Sequence, residues 1–463
     1  MPAPPAPSLA VRPRVAGAGL ALAAVVAVAL NLRAAISSVG PVLEEIQAGV
    51  ELSAGAAGVL TSLPVLCFAV VGLASPWLGR RFGIERAIAA AVVVLGVSLL
   101  VRVAGGPVPL FLGTLTACGS IAAVNVLMTV VVKTRFPHRV GLVTGVYTSA
   151  MAGGSAAAAA LSAPVAAAVG LADSGWRVAL AVWAVPCLVA VALWFAALRR
   201  WRTQDGGAGA AGATGGEPTT GRAGDPAAGV RVAAQTAGGA VSDAPVAAAR
   251  LGTEPVSASA TASVPAAPRA VDARALLRYP RVWALTIFFG TQSLLFYVAL
   301  GWLPAIYRDA GLDAATAGTL LSVSVLVGVP AFLVVPVLAA RRPGQRRWTV
   351  GLTAAAAGGL VGLLVAPAEG AWLWAVLLGL GNACFPLALS LFALRTSVPA
   401  QTATVSAVGQ SLGYLIAAAG PLAVGLLHEW TGSWTTPLLV LLGLMVVQAG
   451  TGMVAGRSGH IDD

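Results

Sequence analysis

The sequence predicts an all-α integral membrane protein, with twelve transmembrane helices arranged as two six-helix pseudo-repeats. Three observations predict it. Hydrophobic residues fill 58% of the 463 positions and charged residues only 10%, with a mean hydropathy of +0.88, whereas a soluble domain carries about 25% charged residues. Apolar runs of about 20 residues, the length that crosses a bilayer, recur throughout. Finally, the chain repeats itself. Leu52, Ala57, Gly58, Leu60, Ser62, Val65, Leu66, Pro76, Leu78 and Arg81 find Leu312, Ala317, Gly318, Leu320, Ser322, Val325, Leu326, Pro336, Leu338 and Arg341 at an offset of 260. Gly119, Leu127, Lys133, Thr134, Pro137, Val143, Val146 and Ser149 meet Gly381, Leu389, Arg395, Thr396, Pro399, Val405, Val408 and Ser411 at an offset of 262. Matched Pro, Gly and Arg at a nearly constant offset exceed what an Ala/Leu/Val-rich chain gives by chance.

The first span, 16–46, follows Arg12 and Arg14 and runs on through Asn31-Leu32-Arg33 to Ile46, so it reads as a retained helix rather than a cleaved leader. Glu44, Glu45 and Glu51 lead to the second, 54–78, which Arg80, Arg81 and Arg86 close. The third, 86–104, has Arg102 at its far end; the fourth, 108–132, stops at Lys133, Arg135 and Arg139. The fifth, 140–169, leads to Asp173 and Arg177, and the sixth, 177–198, to Arg199, Arg200 and Arg202. The first and fifth are long enough to need tilt or to protrude.

Residues 199–278 break the pattern. They are rich in Ala, Gly, Pro, Ser and Thr, with few large apolar side chains. Such a stretch cannot bury enough surface to offset its ordering entropy, so it reads as a disordered cytoplasmic linker. The Gly-rich run 206–216 has no strand before it and no Gly-Lys-Ser/Thr after it, and the whole chain lacks that sequence, which argues against a nucleotide-driven pump. The second half resumes with spans at 280–307, 314–340, 348–366, 371–394, 402–427 and 435–455. The expected domains are therefore 1–198, the linker 199–278, and 279–463.

Charge in the connections alternates. One side holds most of the Arg residues and the single lysine, Lys133; the other holds Glu44, Glu45, Glu51, Arg102, Asp173, Arg177, Arg308, Asp309, Asp313, Glu369 and Glu429. The Lys/Arg excess puts the first side, with both termini, in the cytoplasm. The formal charge of +11 thus sets topology and does not imply nucleic acid. Cys67, Cys118, Cys187 and Cys384 all fall in apolar segments with no metal spacing and read as small core residues. Two tandem apolar bundles in parallel repeat are a design of secondary transporters.

Asn31-Leu32-Arg33-Ala34-Ala35-Ile36-Ser37-Ser38-Val39-Gly40-Pro41 and Leu60-Thr61-Ser62-Leu63-Pro64-Val65-Leu66-Cys67-Phe68 resemble the cyanate and nitroimidazole transporter branch of the major facilitator superfamily, whose first helix has an Asn-Leu-Arg motif. The resemblance covers most of the chain outside the termini and linker. It implies the major facilitator fold and alternating access. One departure stands out. The loop after the second helix usually carries Asp-Arg-x-Gly-Arg in that superfamily, and here it reads Gly79-Arg80-Arg81-Phe82-Gly83-Ile84-Glu85-Arg86. Arg80 takes the usual Asp position, which leaves Glu85 as the local carboxylate. Arg80, Arg81, Glu85, Arg86, Arg341 and Arg342 are accordingly candidate gate and topology residues.

Arg33 carries the sharpest chemistry. It lies well inside the first span, where a central Arg costs about 2.5–3.5 kcal/mol on insertion scales. Glu44, eleven residues on, is about 16 Å away along a helix. The repeat counterpart of Arg33 is Ser293, so the fold does not require Arg there. Two readings stay open. Either Arg33 faces a water-filled cavity and meets an anionic or strongly dipolar solute, its planar fork suiting carboxylate or cyanate, or it satisfies helix-end carbonyls and holds helices together. Asn31 lies on another face, and Ser37 shares the face of Arg33. Further candidate solute contacts are Asn125, Tyr147, Gln292, Phe296, Asn382, Gln410 and Tyr414, with Thr129, Thr144, Thr148, Met151 and Ser406 on the same stripes. A solute cavity needs a few placed donors among apolar walls; the same residues also serve as interhelical hydrogen bonds. No Asp or Glu falls near the centre of a span. Glu44, Glu45, Asp309, His428 and Glu429 gather toward the outer side, as titrating groups or as solvated loop charge.

The expected protein is therefore a monomeric, multi-pass transporter of the plasma (inner) membrane, secondary active or facilitative. It would carry a small polar or anionic solute of the cyanate-like or nitro-heteroaromatic class. Its partners are that solute, the lipid bilayer and a proton as candidate coupling ion; no cofactor, metal or nucleic acid is called for. The main rival is an efflux antiporter for larger apolar compounds. No His-Glu-x-x-His, nucleophile elbow or paired mid-span carboxylates are present, which argues against an intramembrane enzyme; the absence of a soluble output domain argues against a sensor.

Overall fold

A computed structural model describes residues 18–169, 174–213 and 276–461. The first apolar run is broken rather than continuous. α1 (Ala18–Ser37) gives way to one 3-10 turn (Gly40–Val42), and α2 (Leu43–Val50) completes the span Gly19–Val50. Pro41 is the second residue of the turn, where a missing amide costs no helical bond. The length of this span is partly taken up by that break. α3 (Ala54–Phe82) and α4 (Ile84–Val101) are separated only by Gly83, whose φ of 83° suits glycine. α5 (Pro107–Arg135) and α6 (Val140–Ala168) follow.

The sixth run is also interrupted, into α7 (Gly175–Ala181) and α8 (Ala184–Ala213). Pro186 cannot donate to the carbonyl of Val182, so the helix restarts there. α8 continues past residue 199, where the linker was expected to begin. Trp201 explains the first part of this extension: it is buried, meets Trp194 edge-to-face at 5.6 Å, and lies under the Arg135 guanidinium at 4.9 Å. Residues 214–275, most of the expected linker, lie outside the described residues.

The second half contains α9 (Pro280–Asp309), α10 (Ala314–Ala340), α11 (Arg346–Val365), α12 (Ala371–Gly381), α13 (Cys384–Leu394), α14 (Pro399–Thr431) and α15 (Thr435–Ala455). The α12–α13 break lies at Asn382–Ala383, where Pro386 has no amide for the Asn382 carbonyl. α10 starts on Asp313, whose carboxylate accepts the Thr316 amide at 2.9 Å and the Thr316 hydroxyl at 2.6 Å. These bonds hold the Asp313 carboxyl below its ordinary pKa. Among the described residues there are twelve segments long and apolar enough to cross a membrane, and no strand.

The chain forms two compact units. Of the described residues, one takes those within Met1–Ser53, Val71–Gly224 and Asp313–Ser322; the other takes those within Ala54–Val70, Asp225–Leu312 and Val323–Asp463. Lipid tails are as apolar as Leu, so small residues and close backbone approach hold such helices together. In the first unit α1 packs on α6 and α8, and α4 on α5 and α8. The α1–α6 contact is tight at Gly154, where a Cβ would run into the Leu30 carbonyl. Gly318, at the start of α10, packs in this unit on the Ala159 carbonyl and Pro41. In the second unit α9 packs on α14 and α15, and α11 on α12 and α15. Phe288, Phe289, Leu387, Leu391 and Phe392 centre its core. The first part of α3 belongs here. A Cβ on Gly58 would sit 2.9 Å from the Leu422 Cα, Thr61 packs on Gly301, and Glu429 accepts the Gly55 amide at 2.5 Å. The four cysteines are buried.

Candidate functional site

Arg33 sits about one turn before the C-terminal end of α1 and is half-buried. α5 and α6, in the same unit, carry two further candidates. The Tyr147 hydroxyl donates to the Asn125 side-chain carbonyl at 2.6 Å, joining α6 to α5. Tyr147 is only 6% exposed. With its proton committed to Asn125, the phenol oxygen keeps acceptor capacity, while the Asn125 amide keeps donors. A guanidinium fork is by its geometry a surface for a planar anion or dipole.

The other α1 candidates serve packing bonds. Asn31 donates from its amide to the carbonyls of Ala27, 2.8 Å, and Pro186, 3.2 Å, tying α1 to α8. Ser37 pairs with Ser155 of α6 at 2.5 Å, and both are fully buried. Thr129 and Thr148 turn back onto carbonyls of their own helices.

In the second unit the candidates make separate local contacts. The Gln410 amide donates to the Ser406 hydroxyl at 2.7 Å, one turn apart on α14. Gln292 is buried on α9 and accepts from Ser293 at 3.3 Å. Phe296 meets Tyr297 edge-to-face at 5.4 Å. Asn382 is buried at the α12–α13 break. Tyr414 stacks on Phe68 at 5.7 Å and meets Phe289 edge-on at 5.1 Å. Phe68 was not among the expected contacts, although it closes the quoted Leu60–Phe68 motif.

The candidate gate residues divide. Arg80, Arg81, Arg86, Arg341 and Arg342 are exposed, and Arg81 lies over the Phe82 ring at 5.7 Å. Glu85 does not serve that arginine pair. It bonds Arg135 of α5 at 2.6–2.7 Å.

Arg102 is the residue the sequence reading misplaced. Expected as a connection charge, it is 1% exposed. Its guanidinium donates to the Ala35 carbonyl at 2.8 Å, the Leu180 carbonyl at 3.0 Å and the Ser38 hydroxyl at 3.4 Å. Ala35 and Leu180 lie in the last turns of α1 and α7, where carbonyls lack helical partners. One cation therefore closes two helix ends, including the one that carries Arg33. Burial pushes its pKa down to about 10, so it stays charged at neutral pH. In the second unit, His428 stacks on Trp434 at 3.9 Å, and the Trp434 indole donates to Asp309 at 2.5 Å.

The Major Facilitator Superfamily model matches residues 22–421. The chain is 33% identical over 439 residues to the uncharacterized transporter YycB of Bacillus subtilis (strain 168), covering 94% of this chain and 93% of that protein. It is 32% identical over 442 residues to the 2-nitroimidazole transporter of Escherichia coli (strain K12), covering 95% and 96% respectively. It is 27% identical to the cyanate transport protein CynX of the same organism, over 92% of this chain and 95% of that one. Among solved structures, a bacterial homologue of the human lysosomal transporter Spinster, inward-facing and unoccupied, matches with a TM-score of 0.69 at 13% identity, over 96% of this chain and 98% of that one.

Proposed function

The chain belongs to the Major Facilitator Superfamily, whose members are transporters rather than enzymes, and from that premise we propose that it carries a small, planar, polar or anionic solute with Arg33 as the recognising cation. The observation that carries this reading is Arg33, half-buried inside the first span, in the same unit as the bonded Tyr147–Asn125 pair. A cation inside a span is costly, its repeat counterpart is a serine, and a guanidinium fork suits a solute of cyanate-like or nitro-heteroaromatic class. The names of two full-length relatives, a 2-nitroimidazole transporter and a cyanate transport protein, support the same class. The protein acts as a monomer by alternating access in the plasma (inner) membrane, with both termini cytoplasmic and a proton as candidate coupling ion.

A second reading, efflux of larger aromatic compounds, is favoured by the Phe68–Tyr414–Phe289 group. Uptake and efflux of radiolabelled cyanate and 2-nitroimidazole in vesicles separate the two. Arg33→Lys keeps the charge but loses the fork, so transport should fall by about tenfold, a change of about 1.4 kcal/mol; Arg33→Ala should fall further, with normal insertion. Tyr147→Phe removes the bond to Asn125 and should raise KM. Equal transport by wild type and both Arg33 variants would remove Arg33 from solute recognition.

A further inference from the structure

At the ends of α11 and α15 an open cleft of about 950 Å³ is walled by Arg342, Arg346, Arg347, Arg457, Trp348 and Gly344. All four arginines are exposed, and among the described residues none forms an ion pair with a carboxylate. The cleft shares no lining residue with the solute candidates and has no part in the solute reading.

Its walls are held from beneath. The Gln345 backbone N–H donates to the Gly456 carbonyl at 2.9 Å. Arg395, 4% exposed, donates to the Gln345 side chain and, from Nε, to the Ala455 carbonyl at 3.0 Å. Arg346 Nε donates to the Met453 carbonyl at 3.1 Å. A Cβ on Gly456 would lie 2.8 Å from the Arg346 amide nitrogen, so the two chain segments approach this closely because residue 456 is glycine. α11 also begins at Arg346 without a side-chain cap, which adds the positive end of its dipole.

Like charges held together repel unless an anion bridges them. Loop arginines also direct membrane topology, but topology requires neither a formed cleft nor a buried scaffold under it. Guanidinium forks match phosphate oxygens in pairs. Trp348, half-buried in the first turn of α11, is a side chain suited to the membrane–water boundary. We propose that this cleft binds a phosphate-bearing anion, supplied by a lipid headgroup or by solution.

The test uses the purified full-length protein in non-ionic detergent. Phosphatidylglycerol, phosphatidylcholine and inorganic phosphate are titrated separately, and bound adducts are followed by native mass spectrometry. The comparison is among wild type, the single variant Arg457→Gln, the pair Arg347→Gln with Arg457→Gln, and a charge-matched control, Lys133→Gln with Arg139→Gln. Size-exclusion profiles establish that each is folded. Saturable phosphatidylglycerol binding whose Kd rises about tenfold or more in the cleft pair, less in the single variant and not in the control, supports the site with lipid as source. The same pattern for inorganic phosphate alone supports it with solution as source. No saturable binding of either, or equal loss in the cleft pair and the control, overturns it and leaves the arginines to topology.

Discussion

Replacing Arg102 tests whether a buried cation is held by its hydrogen bonds or merely tolerated. Two opposing effects act on it. Its burial costs free energy, visible in a pKa pushed down to about 10, and its three donated bonds, two of them to helix-end carbonyls, offset that cost. Arg102→Met keeps the apolar length but removes charge and donors together. The Leu180 carbonyl then loses the donor that Arg102 supplies, at about 1–3 kcal/mol, while the Ala35 carbonyl keeps a weak bond from Ser38 at 3.3 Å. Relief of desolvation works the other way, so a net loss of about 1–3 kcal/mol is expected. Arg102→Lys keeps the buried charge yet cannot span both carbonyls. It leaves a poorly compensated cation, at about 3–5 kcal/mol. The formally conservative change should thus be the worse one. Thermal unfolding in one detergent, followed by tryptophan fluorescence, ranks the three proteins. Wild type should show no pH dependence from this group between about pH 6 and 9, because folded and unfolded chains both keep the proton there. A buried Lys releases its proton before the unfolded chain does, so the unfolded state binds more protons and the Lys deficit should shrink as pH rises. Wild-type stability in the Lys variant, or a Met variant less stable than the Lys variant, would refute the reasoning.

Two further expectations follow from local geometry. Gly154→Val should separate α1 from α6, because a Cβ already meets the Leu30 carbonyl; a loss of at least about 1–3 kcal/mol should appear as reduced yield of monodisperse protein, with Gly153→Val, where a Cβ meets nothing within 4 Å, as the tolerant neighbour. Asp313→Asn should loosen the first turn of α10, seen as faster hydrogen exchange over 314–318. Since the Asp313 pKa is lowered in the folded state, its contribution is complete above the ordinary carboxylate pKa and is lost as pH falls through the lowered value, so the two proteins should converge in acid.

Much of the fold was legible because lipid imposes a simple requirement on sequence: long apolar runs, with charge confined to the connections. Pro41, Pro186 and Pro386 also mark the three interrupted spans, although the sequence reading drew those spans as continuous. Arg33 was legible for the opposite reason, as an exception inside a span. The burial of Arg102 was not legible, because an arginine at the edge of a span looks the same whether it meets water or two helix ends. The bond between Tyr147 and Asn125 joins residues on different helices, and composition alone could not distinguish it from other polar pairs. Glu85 was expected beside its sequence neighbours, but the fold gives it Arg135, fifty positions away.

The placement of Ala54–Val70 has a consequence for biosynthesis. This segment packs with α9 and α14, and Leu422, which meets Gly58, follows it by 364 positions. A chain emerging from its N-terminal end therefore makes the first part of α3 long before its partners exist. Gly58, Thr61 and the Gly55 amide wait for Leu422, Gly301 and Glu429. Contacts of such separation close late. An intermediate arrested before α14 carries a glycine-lined helix face with nothing to meet it. That face is where membrane quality control would find a nascent chain still unfinished.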